Sequence, residues 1–177
     1  MTATATATPS APGSIKQRVT EHLEREPNAM TVMIARELGV PEVEVIRALP
    51  EDRVTELDAS RAVELIKAFE PLDMCHVITN NGVVTLEAFG KFGKFSTMGP
   101  FFNVQTKSLD MHIRADGLAA VFAVEKPSHM DGVNTLSIQF FKPDGASAFK
   151  VFLTFGSKAP SEERVAQFTD LRERFKL

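Results

Sequence analysis

The stretch KFGKFSTMGPFFNVQTKSLDMHIRADGLAAVFAVEK, from Lys91 to Lys126, decides the fold of this chain. At its centre is the segment SLDMHIR, residues 108–114. Successive side chains of a β-strand point to opposite faces of a sheet. The segment therefore has an apolar row and a polar row, which are Leu109, Met111 and Ile113 against Ser108, Asp110, His112 and Arg114. The apolar row belongs to a core, so the polar face is our first candidate for a binding surface.

The composition is typical of a globular protein with one ordinary core and a small accessory domain in 177 residues. A net charge of −3 gives no general attraction to nucleic acid or to an anionic membrane. The single cysteine, Cys75, excludes an internal disulfide and fits a reducing compartment. No stretch approaches the roughly 20 apolar residues that span a bilayer. Residues 1–13 lack the features of a secretory signal, so we expect a disordered lead-in to a cytoplasmic protein.

Residues 14–72 predict an N-terminal helical unit. Ser14 is an N-cap candidate for a helix that Pro27 stops, and Gly39 is a left-handed cap for a second helix. Pro41 suits the first position of a third helix. A fourth helix, capped by Asp58, would bury one stripe made of Ala62, Leu65, Ile66 and Phe69.

The second and third helices have the spacing of a helix-turn-helix unit, with small residues at the contact and glycine at the turn. A DNA-reading helix needs positive charge and hydrogen-bond donors. We expect the outer side of helix 41–49 to carry Glu42, Glu44 and Arg47, two acids against one base. This balance favours a structural role, and DNA binding stays as the alternative.

From residue 73 the pattern changes to short runs rich in Val, Ile, Phe and Thr. The predicted strands are 74–79, 83–89, 101–106, 108–115, 118–125, 134–141 and 148–155, and a helix follows at 161–175. Asn81-Gly82 predicts a two-residue hairpin turn, and residues 142–145 predict another turn. Consecutive strands without interleaved helices predict an antiparallel sheet. We infer an α+β domain over 73–177, with the sheet covered on one face by helices.

The segment from Phe89 to Phe95 repeats phenylalanine every third residue, which matches neither strand nor helix periodicity. Its glycines permit a mobile loop. Its alternating lysines and phenylalanines would suit single-stranded nucleic acid or a flat aromatic ligand that carries carboxylates. The structural alternative is a hairpin connection whose rings pack on the core.

Among the four histidines, His112 is the best ligand candidate because its strand neighbours keep it off the core face. His76 and Cys75 are adjacent on a strand and point to opposite faces, so they cannot share one metal. The sequence contains no phosphate loop, zinc spacing, nucleophile elbow or paired catalytic carboxylates in a recognisable context. These observations favour a binding protein over an enzyme.

Six further segments follow one another in a characteristic order. They are Phe102-Asn103, Met111 to Asp116, Val124 to Pro127, Ser137 to Phe141, Asp144-Gly145 and Ala148 to Leu153. In this order they resemble the cytosolic haem-utilisation carriers of the ChuX/HutX type. Residues 38–50 resemble the N-terminal helical unit of that family, and the resemblance covers most of the chain beyond its first dozen residues.

The resemblance implies a bacterial carrier that receives imported haem, or a related tetrapyrrole, and passes it on. Such proteins typically form a homodimer through their sheets, and they work with proteins that donate or receive haem. The histidine of the family's His-Ile-Lys segment corresponds to His112, which becomes the axial ligand of the iron. Arg114 replaces the lysine, and the propionates would pair with Arg114 and with Lys91 or Lys94.

The chain departs from the family pattern at two further positions. Asn80 stands where members commonly have a histidine, and Phe101 replaces a tyrosine ligand. His112 is then the straightforward axial candidate and Met98 a second one, while Phe101 and Phe102 complete the expected haem contacts. Two other functions stay open, a haem-degrading or haem-modifying enzyme like the related tandem proteins and a nucleic-acid-binding regulator.

Overall fold

The computed structural model describes residues 13–154 and 158–177. Its helices are α1 (Ile15–Arg25), α2 (Thr31–Leu38), α3 (Glu42–Arg47), α4 (Ala62–Lys67) and α5 (Glu162–Phe175). The Ser14 hydroxyl accepts a hydrogen bond from the backbone N of Gln17 at 3.2 Å, and Gly39 ends α2 with a φ of 65°. Both caps were predicted. Within the described ranges, no helix combines the length and the apolar character that crossing a bilayer requires.

Within residues 13–154 and 158–177, nine strands form two antiparallel sheets. They are β1 (Val54–Leu57), β2 (Cys75–Asn80), β3 (Thr85–Gly90), β4 (Phe95–Met98), β5 (Phe101–Gln105), β6 (Asp110–Arg114), β7 (Ala120–Pro127), β8 (Asn134–Phe141) and β9 (Ser147–Phe152). The larger sheet has the order β1-β7-β8-β9-β2-β3, and the smaller one has the order β4-β5-β6. The predicted α+β class and antiparallel pairing are confirmed, with two sheets where one was expected.

The central strands of the six-stranded sheet are covered on both faces, because they alternate between two apolar surroundings. On β7, Val121 and Ala123 face the main core, which α4, α5 and the three-stranded sheet enclose. The alternate residue Phe122 faces α3, where Ile46 and Leu49 pack against it. We predicted helices on one face only. The N-terminal helices cover the second face. Their apolar stripes show that they pack against something, but do not show that the partner is this sheet.

Two strands were not predicted. β1 pairs with β7 as an edge strand, although its residues precede the predicted limit of the helical unit at residue 72. β4 lies where we expected a connection to β5. The division into 14–72 and 73–177 therefore stays a prediction, and a strand of the first range lies in the sheet of the second.

The connection between β2 and β3 has four residues, 81–84, and not the predicted two. The Asn81 side-chain oxygen accepts hydrogen bonds from the backbone N of Val83 and of Val84, which closes the longer turn. The predicted end of the last strand at Phe155 lies outside the described residues, as do residues 1–12 of the lead-in that we predicted at 1–13.

The seam between the two sheets lies at Gly90, the last residue of β3. A Cβ atom at this position would lie 2.7 Å from Cβ of Leu109 and 2.9 Å from the carbonyl oxygen of Ser108. Real Cβ atoms do not approach other atoms so closely. Glycine is therefore required where the chain leaves the larger sheet beside the start of β6.

Glu42 corrects our expectation for the outer side of α3, because its side chain is buried. Its Oε1 lies 2.5 Å from Nζ of Lys150 and accepts a hydrogen bond from the Thr31 hydroxyl at 2.6 Å. Arg47 stays at the surface and pairs with Glu56 at 2.8 Å. The buried pair joins the helical unit to the sheet, and the exposed cation of α3 is already neutralised by acids.

Candidate functional site

The outer face of the three-stranded sheet carries two rows of side chains in cross-strand register. One row consists of Ser96, Asn103 and His112, and the next consists of Met98, Phe101 and Arg114. Four of the predicted site residues therefore lie on one face, which are Met98, Phe101, His112 and Arg114. The opposite face of the sheet packs into the main core, where Val104 and Ile113 are buried.

The imidazole of His112 lies at the centre of this face. Its side chain is 51% exposed, and the ring of Phe101 meets it edge-on with 6.5 Å between the centroids. Phe101 and Met98 are both exposed and lie opposite each other on neighbouring strands, and contiguous exposed apolar side chains often mark a binding surface. An imidazole beside an exposed aromatic and a thioether offers a flat apolar ligand both a surface and a nitrogen donor.

Phe102 lies on the other side of the same strand. Its side chain is 5% exposed, its ring stacks on Phe95 with 5.5 Å between the centroids, and Lys67 lies over it at 5.8 Å. Strand alternation sends adjacent residues to opposite faces. The structure therefore separates Phe102 from the four residues of the outer face and places it in the core.

The connection between β3 and β4 follows the structural alternative. Phe92 is buried with its ring edge-on to Phe69, at 5.0 Å between the centroids. Lys91 Nζ lies 2.6 Å from an oxygen of Asp73, and this hydrogen-bonded pair lowers the pKa of the Asp73 carboxyl. Lys94 is exposed and has a φ of 49° just before β4. Neither lysine lies in the row of His112 or in the neighbouring row of Arg114.

The His112 ring is held by a neighbour that we did not predict. Its Nδ1 lies 2.7 Å from Oδ1 of Asn103, and its Nε2 lies 3.6 Å from Oδ1 of Asp110. The Asn103 amide nitrogen donates to the Ser96 hydroxyl at 3.0 Å, and this hydroxyl donates to Oε1 of Gln105 at 3.0 Å. Strand alternation places Asn103 on the same face as Phe101, but only the cross-strand register shows that it touches His112.

Arg114 supplies the positive charge of the face. Its guanidinium makes two hydrogen bonds to the Asp116 carboxylate, at 2.6 and 3.2 Å. These bonds raise the pKa of Arg114 and lower the pKa of Asp116. Both side chains remain exposed, so a ligand carboxylate can reach the guanidinium by competing with Asp116.

The neighbours Cys75 and His76 point to opposite faces, as predicted. Cys75 is buried in the main core, and burial raises the pKa of its thiol to about 11. Within residues 13–154 and 158–177, no three His, Cys, Asp or Glu side chains converge on a metal-binding position. A haem iron needs less from the protein, because the porphyrin supplies four ligands and one imidazole can supply the fifth.

A model of the haem utilisation ChuX/HutX family matches residues 55–171. The intracellular haem transport protein HutX of Vibrio cholerae is 25% identical over 166 residues, which cover 92% of this chain and 85% of HutX. The solved structure of the haem-binding protein ChuX superposes with a TM-score of 0.76 at 22% identity, over 88% of this chain and 97% of ChuX.

The haem-degrading enzyme ChuS of Escherichia coli O157:H7 shares the fold with a TM-score of 0.76 at 22% identity. The match covers 92% of this chain and 46% of ChuS, so this chain corresponds to about half of that enzyme. The family model spans well over half of the chain, in agreement with the segments that carried the resemblance. The chain belongs to the ChuX/HutX haem utilisation family.

Proposed function

We propose that this protein binds haem on the outer face of its three-stranded sheet and carries it inside the cell during bacterial haem uptake and utilisation. The observation that supports the proposal best is the arrangement of His112 beside Phe101 and Arg114 on one open face. Membership of the haem utilisation family and the similarity to the transport protein HutX support haem as the ligand.

Each residue of the face has a distinct role in this proposal. Nε2 of His112 is the axial donor to the iron, and Phe101 and Met98 contact the porphyrin plane. Arg114 pairs with a propionate, as a guanidinium does with any carboxylate. Lys91 and Lys94 stay candidates for the second propionate, and their positions outside the two rows make them secondary to Arg114.

A hemin titration tests the proposal directly. We expect a saturable, shifted Soret band for the wild-type protein and at least about tenfold weaker binding for His112→Ala, since tenfold corresponds to about 1.4 kcal/mol of lost coordination. His76→Ala is the matched control, because His76 is the strand histidine of the other sheet. Identical spectra for wild type and His112→Ala would contradict the role of His112.

Haem breakdown is the second candidate, since the fold is shared with half of the haem-degrading enzyme ChuS. Incubation of the hemin complex with a reductant and oxygen distinguishes the two functions. A carrier leaves the haem absorption at the level of a hemin control without protein. Loss of the Soret band that requires the protein, with release of iron, would favour the enzyme.

We also propose that the carrier is a homodimer. Strand β3 forms one edge of the six-stranded sheet, where backbone groups are available to another strand. Its exposed side chains include Leu86, and Val84 precedes it on the same side. We expect light scattering to give twice the 19.5 kDa chain mass and Leu86→Lys with Val84→Lys to give the monomer. Val165→Lys, at an exposed position of α5, is the control.

A further inference from the structure

We infer that Asn103 is a positioning residue that holds the proton of neutral His112 on Nδ1 and thereby presents Nε2 as an unprotonated donor on the open face. The position of the proton on Nδ1 of His112 follows from the geometry of the protein without a ligand. The statement that Nε2 then receives a ligand rests on the proposed function.

The distances decide between the two ring nitrogens. Oδ1 of Asn103 lies 2.7 Å from Nδ1 of His112, within the range of a strong hydrogen bond. Oδ1 of Asp110 lies 3.6 Å from Nε2, beyond that range. An amide oxygen only accepts, so Nδ1 must carry the proton and Nε2 must be unprotonated in the neutral ring.

The Asn103 amide is oriented with its NH₂ group towards Ser96, and the hydrogen bonds of the next two side chains agree with this orientation. Its NH₂ group donates to the Ser96 hydroxyl, and the single proton of that hydroxyl is used toward Gln105. Ser96 can therefore only accept from Asn103, which leaves the amide oxygen for His112. Asn103 itself is 2% exposed, so water does not compete for its oxygen.

This arrangement reverses the preference of a free imidazole. In water the neutral ring carries its proton mainly on Nε2, and in this form Nε2 cannot bind a metal. A residue that accepts a hydrogen bond from the other ring nitrogen of a metal-binding histidine orients the ring and makes the metal-binding nitrogen a stronger donor. A donor that is prepared before the ligand arrives pays less entropy when the ligand binds.

The first experiment measures the tautomer in the ¹⁵N-labelled apo protein, by long-range ¹H–¹⁵N correlation at alkaline pH, which favours the neutral imidazole. The unprotonated nitrogen of each ring resonates far from the protonated one. We expect His112 to be protonated on Nδ1, whereas exposed His129 in the same spectrum shows the solvent preference for Nε2. A His112 ring protonated on Nε2 would overturn the inference, whether or not hemin binds.

Variants then test whether Asn103 is the cause. In Asn103→Leu we expect His112 to move to the solvent preference, and in Asn103→Asp, which keeps an acceptor oxygen, we expect the Nδ1 proton to be retained. Ser96→Ala serves as a milder variant on an exposed position, in case Asn103→Leu does not fold. It should give a mixture of the two tautomers. A His112 signal that is unchanged in both Asn103→Leu and Ser96→Ala would refute the role of Asn103.

Hemin binding by the same variants tests the consequence. Loss of an outer partner typically weakens metal affinity roughly 10- to 100-fold, so we expect this loss for Asn103→Leu and substantial rescue by Asn103→Asp. Unchanged hemin affinity in a variant whose tautomer has moved would refute the positioning role. Failure of wild type itself to bind hemin would refute the proposed function, and the spectrum of the apo protein would still decide the position of the proton.

Discussion

Each of the two sheets carries one strand histidine, and the two rings are used differently. His76, on the six-stranded sheet, is 14% exposed, with Nε2 at 2.7 Å from Glu87 and its ring stacked on Phe89 at 4.4 Å. His112, on the three-stranded sheet, is 51% exposed, and its bonded nitrogen is Nδ1. A side chain of the neighbouring strand determines which ring nitrogen is hydrogen-bonded and which remains available to a ligand. Histidine is therefore structural on the six-stranded sheet and a candidate donor on the three-stranded sheet.

The two sheets also differ in how far their faces are covered. The central strands of the six-stranded sheet are packed on both faces, by the main core and by the N-terminal helices. The three-stranded sheet uses one face for the core and leaves the other open. Substitutions that are costly on a covered face should therefore be tolerated on the open one.

The largest contrast is expected between two adjacent residues of β5. Phe102→Ala should lower the free energy of unfolding by about 3 to 5 kcal/mol, because it leaves a cavity in the core. Phe101→Ala should cost less than about 1 kcal/mol, since that ring is 37% exposed, but it should weaken hemin binding. Urea denaturation and hemin titration of both variants measure the contrast. Equal losses of stability would break the comparison.

The second contrast concerns charge on the covered sheet. Glu42→Ala should cost about 3 kcal/mol, because it leaves Lys150 buried without its carboxylate. The double variant Glu42→Met with Lys150→Met removes both charges and should recover most of that stability in the same urea assay. A double variant as unstable as Glu42→Ala would show that packing, and not the unpaired charge, sets the cost.

The third contrast is a pH dependence. Burial, together with Lys150 and Arg53, lowers the pKa of Lys126 to about 8 from an ordinary 10.5. Between these two values the unfolded chain binds more protons than the folded one, so this residue makes stability rise as the pH rises from about 8 to 10.5. Lys126→Met should be more stable by about 1 kcal/mol at pH 7, and its urea midpoint should lack that rise.

Exposed Lys107→Met is the control for this titration, and it should keep the rise in stability above pH 8. If Lys126→Met and Lys107→Met show the same pH dependence, the slope belongs to another group. Burial of Lys126 on the covered sheet would then not be the cause of the pH-dependent stability.

The smallest effect on stability is expected on the open face. Arg114→Gln breaks an exposed ion pair with Asp116 and should leave the urea midpoint essentially unchanged. Its hemin affinity should nevertheless fall several-fold, and more so at low salt, because a propionate loses its cation. Asp116→Asn is the control that frees Arg114, and it should not weaken hemin binding. A clear fall of the urea midpoint in Arg114→Gln would contradict the exposed position of Arg114 on this face.

Strand alternation predicted which side chains share the face of the candidate site better than it predicted which of them contact one another. The apolar and polar rows around His112 follow from local spacing, and Leu109 and Ile113 are buried as expected. Alternation also separates Phe101 from Phe102, although we placed both in the site. The contact between Asn103 and His112 depends on the register of β5 against β6, which no local pattern specifies.

The remaining errors have similar causes. β1 has four residues, too few to show a period, and its partner β7 lies far along the chain. Glu42 was placed at the surface because its burial depends on Lys150, 108 residues away. Helix caps, by contrast, are local, and Ser14 and Gly39 were correctly predicted from their immediate neighbours.

The glycine at position 90 has a mechanical consequence. Because a single hydrogen is all that fits between the end of β3 and Leu109, the two sheets touch there backbone to side chain, and they share one core through Phe102 and Ile113. A swing of one sheet against the other would have to open that core. If haem binds on the outer face as we propose, we therefore expect its release to depend on rearrangement of side chains there, while the two sheets keep their relative positions.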